Sequence, residues 1–336
     1  MAYRPAVTVM PERLRDESRT TVRAIMNGTM NLNRVAHDLR PSTPKIRVPM
    51  ESPFLRFVGN AVFRLVPNRS VPGVRFERRD GAAQGLRLFV PETRRSDGAL
   101  LWIHGGGLVL GHPAMDDQFC AETARELGIV VVSARYRLAP RHPYPAAIDD
   151  CHAAWEWLTR NAGSLGVDPE RIAIGGQSAG GGLAAALAQR ACDGQPPHPL
   201  AQWLFCPMLD DRTAARRDLD AENHFVWDNR LNRFGWRAYL GNEPGGATAP
   251  RYAVPARRDH VKGLPTAWIG VGDVDLFFAE DLAYARRLTA DGVPVTFDVV
   301  PGAPHGFEVW GQRTRTASAY LGRARDWLHT AIAARP

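Results

Sequence analysis

The sequence predicts an α/β fold in which a mostly parallel central sheet is flanked by helices. Three observations carry that prediction. Short apolar runs bounded by Gly, Pro and Asp recur from Val71 onward, helix-forming stretches alternate with the later runs, and one run passes through a Gly-x-Ser-x-Gly turn directly into a helix. A strand followed by a helix and then another strand returns in the same direction, so the sheet becomes parallel and both its faces are covered.

The strand candidates, in order, are residues 74–78, 86–90, 100–103, 129–133, 172–174, 203–205, 267–271 and 295–300. The first runs, before any helix, are expected as an antiparallel edge. Helices are expected at 115–127, 145–161, 179–191 and 278–290. Residues 1–65 read as an N-terminal helical accessory, with helix-like pieces at 11–26 and 55–65 around a connection bearing Pro41, Pro44 and Pro49; residues 66–336 read as the main domain. From Asp210 to about Leu264 the alternation is interrupted by a segment with an aromatic helix candidate at 229–240. Its first part, about 210–250, is expected as an insertion above the active edge of the sheet.

Composition narrows the function classes. Of 336 residues 45% are hydrophobic and 23% charged, which suits a soluble globular chain with a sizeable core. The net charge of +7 comes from 42 basic residues, nearly all Arg, spread among 35 acidic ones. A denser basic stretch at 251–262 contains Asp259 and Pro255 and offers only Tyr252 for stacking, which argues against nucleic-acid binding. Cys120, Cys151, Cys192 and Cys206 lack a C-x-x-C spacing or a His cluster, so reduced buried thiols are expected, with no metal and no cofactor. No window approaches the roughly 18 apolar residues that a membrane span needs, and no signal-peptide pattern appears at the N-terminus. A cytoplasmic protein without membrane insertion is expected, with homo-oligomerisation left open.

Two motifs carry chemistry. Gly176-Gln177-Ser178-Ala179-Gly180 follows an apolar strand and opens the helix-forming run LAAALAQRA. A strand entering a helix through this string makes a tight turn that strains the serine backbone and presents its hydroxyl at the carboxyl edge of the sheet. A phosphate-binding turn is the competing reading, but the one G-x-G-x-x-A match, 180–185, falls inside the helix pattern rather than at the strand end. The second motif, His104-Gly105-Gly106-Gly107, follows the strand LLWI. Glycines after a strand bare backbone N–H groups, which an oxyanion hole requires; Gly105, Gly106 and Ala179 are the candidate donors, and His104 is read as an orienting residue rather than a base.

HGGG at 104–107, Tyr136-Arg137-Leu138-Ala139-Pro140, His142-Pro143-Tyr144-Pro145-Ala146-Ala147 and GGQSAGGG around Ser178 follow one another in an order that resembles the hormone-sensitive-lipase family of bacterial esterases and lipases, over roughly residues 70–320. The resemblance implies an α/β-hydrolase fold with a helical cap formed by the accessory segments. It also frames the rest of the site. His305, in Gly302-Ala303-Pro304-His305-Gly306-Phe307 after the last strand, resembles the family's catalytic HGF turn. The acid should lie between the strand AWIGV and that histidine, where Asp273 and Asp275 are both available; the family pattern of an acid followed by Pro-Leu fits Asp275-Leu276-Phe277 better. Glu280 and Asp281 are expected as helix N-terminal charges. Gln177 stands where the family more often has Asp or Glu, and Arg135 where Asp often precedes Tyr-Arg-Leu-Ala-Pro.

The expected function is a serine carboxylesterase acting on short- to medium-chain acyl or aryl esters, with Ser178 as nucleophile, His305 as base and Asp275 behind it. Phe54, Leu55, Phe57, Phe225, Trp227, Phe234 and Trp236 are read as either substrate-lining or cap-packing aromatics and aliphatics. His224, in the insertion, is expected at the solvent surface, with substrate contact as the alternative. The same groups would permit amide, lactone or carbamate cleavage, and the contrasting reading is a non-catalytic ligand-binding protein of this fold.

Overall fold

A computed structural model describes residues 31–45, 50–65, 71–81, 83–222 and 224–334. The helix expected at 11–26, and Pro49, lie outside them. The elements in chain order are α1 Pro53–Leu65, β1 Val74–Arg79, β2 Leu86–Pro91, β3 Ala99–Ile103, α2 Asp117–Leu127, β4 Val130–Ala134, α3 Ala146–Asn161, β5 Ile172–Gln177, α4 Ala179–Cys192 and β6 Ala201–Phe205. There follow α5 Asp211–Ala215, α6 Asn229–Leu240, β7 Thr266–Gly272, α7 Phe278–Ala290, β8 Val295–Val300, α8 Phe307–Trp310 and α9 Arg315–Ala333, with several short 3-10 turns between. Every expected strand is present within three residues of its expected bounds.

The strands form one sheet in the order β1-β2-β4-β3-β5-β6-β7-β8. β1 and β2 are antiparallel to each other and β2 is antiparallel to β4; all other pairs are parallel. The interior strands ALLWI, VVVSA and AQWLF are buried at every residue, as a sheet covered on both faces demands. At the edges, VRFERR and VTFDVV are mostly half-buried or exposed instead, and β1 exposes charged side chains that discourage pairing with another chain.

Two cores result. On one face Leu101, Ile103, Val132 and Ile174 pack against α3, α4 and α7; on the other Trp102, Trp203, Phe205 and Trp268 pack against α2 and α9. Helix α9 is an addition to the expected elements. Arg and small polar residues at its start obscure a helical period that is nonetheless present, since Ala317, Tyr320, Leu321, Ala324, Leu328 and Ile332 are all buried. Trp203 Nε1 donates to the Ala324 carbonyl at 3.0 Å, fixing this helix to the sheet.

Because β3, β5, β7 and β8 run parallel, their carboxyl ends share one edge, and the loops carrying 104–107, 178, 275 and 305 converge there. The N-terminal and inserted segments meet at the same edge. Asn60 of α1 accepts from the Gly111 N–H at 2.9 Å, and the Arg56 guanidinium lies over the Phe234 ring of α6 at 4.9 Å. Among the described residues no helix is long and apolar enough to cross a membrane.

Candidate active site

Ser178 is the hinge between β5 and α4, with φ 56° and ψ −122°, a conformation that L-residues reach only under constraint. Backbone bonds supply the constraint: Ser178 N donates to the Phe205 carbonyl at 2.8 Å, while the Ser178 carbonyl accepts from Met208 and Gly182. The flanking glycines are obligatory for space. A Cβ on Gly176 would strike the Gly180 carbonyl, and one on Gly180 would strike the carbonyl oxygens of Ile103 and His104. The turn is therefore pressed against the end of β3.

The structure brings the expected serine, histidine and one of the two aspartates together. Ser178 Oγ lies 2.8 Å from His305 Nε2, and His305 Nδ1 lies 2.8 Å from Asp275 Oδ2. A carboxylate can only accept, so Nδ1 carries a proton and Nε2 is the acceptor for the serine hydroxyl. Asp275 Oδ1 accepts from the Phe277 N–H at 2.9 Å, which fixes the carboxylate plane. All three side chains are buried. Burial opposes a charged imidazole, but the Asp275 carboxylate beside it outweighs burial and raises the His305 pKa above the ordinary histidine value. Asp273 is exposed, and its Oδ1 accepts from the Gly302 N–H at 2.6 Å.

The glycine loop after β3 lies against this turn. Among the described residues, no acceptor meets the backbone N–H of Gly105, Gly106 or Ala179. Gly106 has φ +113° and its Cβ would strike the Leu110 carbonyl, so only glycine fits there. His104 is fully buried, and burial lowers its pKa to about 3. It is neutral, its Nδ1 bonds the Gly105 carbonyl at 2.8 Å, and its ring stacks on Tyr136 with centroids 4.3 Å apart. That is an orienting arrangement. Replacing Gly180 with Ala should force this loop off the turn: kcat is expected to fall about 100-fold for a shift near 1 Å, with a lower Tm. Gly322→Ala, in open space on α9, is the control and should raise Tm.

Comparison with known proteins places the chain in a family. Residues 100–309 match a family model described as alpha/beta hydrolase fold. The chain is 33% identical over 274 residues to the Carboxylesterase NlhH of Mycobacterium tuberculosis, covering 79% of this chain and 86% of that one. The chain belongs to the hormone-sensitive-lipase family of α/β-hydrolases. Among solved structures, the bacterial heroin esterase superposes on this α/β-hydrolase with a TM-score of 0.82 at 30% identity, over 91% of this chain and 100% of that one. Esterase LipW of Mycobacterium marinum gives 0.81 at 30% identity, over 93% and 100%.

The surroundings of the hydrolase site revise several expectations. Of the side chains expected to line the site, Trp227 approaches it: it lies against Gly107, where a Cβ would strike its ring, and its centroid is 6.5 Å from that of His305. Trp236 is buried beside Tyr239 and packs the inserted segment, while Phe54 and Phe57 point outward at about 70% exposure. His224 is not at the surface; its side chain is mostly buried and sits 3.4 Å from Glu222. Glu280 and Asp281 do stand in the first turn of α7, but both are buried, and burial drives both pKa values well up. Glu280 accepts from the Leu209 and Asp210 N–H groups and so anchors the start of the insertion.

Cys206, Asp275 and His305 place potential ligand atoms within 4.8 Å of one another. Asp275 and His305 are already bonded to each other, and burial holds the Cys206 thiol in its protonated form, so the set is ill suited to ion binding. One neighbour of His305 that its sequence context does not single out is Glu308, buried three residues further on. The HGF turn gives no signal for it, because burial of a carboxyl depends on segments far away in sequence.

Proposed function

We propose that this ester hydrolase works through a Ser178-His305-Asp275 triad and an acyl-enzyme. The observation that carries the reading is the unbroken bonded path from Ser178 Oγ through His305 to Asp275, with a 2.8 Å step on each side of the imidazole. Nε2 removes the serine proton as Oγ attacks the ester carbonyl. The N–H groups of Gly105, Gly106 and Ala179 stabilise the oxyanion, and His305 then returns its proton to the departing alcohol. Water repeats the sequence to release the acid. Asp275 holds the imidazole tautomer and offsets its positive charge.

Helix α1 and the inserted segment act as the cap in this reading, since both reach the glycine loop or its continuation. Trp227, beside Gly107 and His305, bounds the space for the substrate, which favours short to medium acyl chains or aryl esters. A cytoplasmic location belongs to the same reading and is supported by four free cysteines.

The test uses nitrophenyl esters from acetate to laurate together with a nitrophenyl phosphonate. Expected are a kcat/KM maximum among the shorter esters, a drop of about tenfold or more by laurate, and stoichiometric phosphonylation of Ser178 seen by peptide mass spectrometry. No turnover of any ester and no labelled serine would leave the non-catalytic reading. Faster cleavage of nitroanilides than of esters would make the enzyme an amidase.

A further inference from the structure

Beside His305 lies a buried polar cluster that the acyl-transfer steps do not use. Gln177, immediately before the nucleophile, is wedged between two loops. Its Oε1 occupies the place where a side chain on Gly105 would begin, and its Nε2 stands 3.1 Å from the place where one on Gly306 would begin. Nε2 also reaches Cys206 Sγ at 3.8 Å, and Sγ meets Glu308 Oε1 at 4.0 Å. The Gln177 amide in addition favours the ionised form of the Glu308 carboxyl, a smaller effect than the burial that opposes it. One short chain of contacts thus runs from the oxyanion loop, past the residue before the nucleophile, to the turn that holds the base.

Glu308 is 4% exposed, and its Oε2 has no partner among the described residues. Cys206 Sγ touches it, and the titratable groups that act on its charge are His305, Asp275, Cys206 and Tyr320. None of these is a Lys or Arg that would offset the cost of burying a carboxylate.

We propose that Gln177 and Glu308 form a positioning pair for acyl transfer, which locks the His305 turn to the oxyanion loop and adjusts the charge that the imidazole carries. The proposal rests on His305 being the base for Ser178. Burial raises Glu308 to about 7, so it exchanges its proton in the range where a histidine base works. While neutral, Glu308 leaves the imidazole to Asp275. Once ionised, its anion favours imidazolium, which cannot take the serine proton. Two coupled ionisations then shape the acidic limb of the rate profile.

The experiment measures kcat and KM for nitrophenyl butyrate from about pH 5 to pH 9, per phosphonate-titrated site, in wild type, Glu308→Gln, Glu308→Ala and Gln177→Ala. The His305 ring-proton titration is followed by NMR without substrate. In Glu308→Gln the acidic limb should move to lower pH by about half a unit or more and become a single ionisation, with the NMR titration moving the same way. Glu308→Ala and Gln177→Ala should lose kcat about tenfold with KM within about twofold, and Glu308→Gln should recover most of that loss. Superimposable profiles in wild type and Glu308→Gln, or a Glu308→Ala variant with a lower Tm but full kcat per titrated site, would overturn the pair while leaving the triad intact. Activity surviving in Ser178→Ala would remove the triad and the pair with it.

Discussion

Ser178→Ala is expected to lower kcat for nitrophenyl butyrate by about 10⁵ to 10⁶, which is roughly 7 to 8 kcal/mol of barrier. The loss should be chemical rather than structural. The turn is held by Ser178 N to the Phe205 carbonyl and by the Ser178 carbonyl to Met208 and Gly182, and alanine keeps all of these backbone bonds. Removing Oγ takes only the nucleophile and the 2.8 Å bond to His305 Nε2. A thermal melt should therefore stay within a few degrees of wild type while the phosphonate no longer labels the protein. Turnover would persist only at the level that oriented N–H donors provide to a direct attack by water. A variant keeping more than about 1% of kcat would assign the nucleophile elsewhere.

How much of this site could be read in the sequence depends on how local each residue's reason is. Ser178 is dictated by its neighbours: a strand, two glycines with no room for Cβ and a helix make one turn, and all three are visible in ten consecutive residues. The glycine loop is local in the same way. The interior parallel strands were legible because they are apolar throughout and stand between Gly, Pro and Asp. Burial of charge was not legible. Glu280 and Asp281 look like surface dipole charges in their own helix, and Glu308 looks like an ordinary residue after HGF; each is enclosed by loops tens of residues away. The same reason leaves Trp227 undistinguished among the aromatics of the insertion, because its approach to Gly107 depends on where the insertion folds rather than on its own neighbours.

Asp275→Asn is expected to lower kcat by about 10⁴, and Asp273→Asn to leave it within about threefold. The two residues are two positions apart and differ in what their carboxylates touch. With asparagine in place of Asp275, the side-chain Oδ1 can still accept from the Phe277 N–H, so the amide keeps the orientation of the carboxylate and turns its NH₂ toward His305 Nδ1. An NH₂ group donates, which makes Nδ1 the acceptor and moves the ring proton to Nε2, facing Ser178. The imidazole then has no lone pair for the serine proton. The pH dependence gives a second readout with a definite sign. Burial lowers the His305 pKa and the Asp275 carboxylate is what raises it, so without that charge the residual acidic limb should move to lower pH. Asp273 acts on a different part of the chain: its Oδ1 accepts from Gly302 N–H in the turn after β8, and asparagine can do the same. Parallel kcat/KM profiles of the two variants decide between them. A dead Asp273→Asn beside a normal Asp275→Asn would move the acid by two residues and require the loop after β7 to turn over before reaching His305.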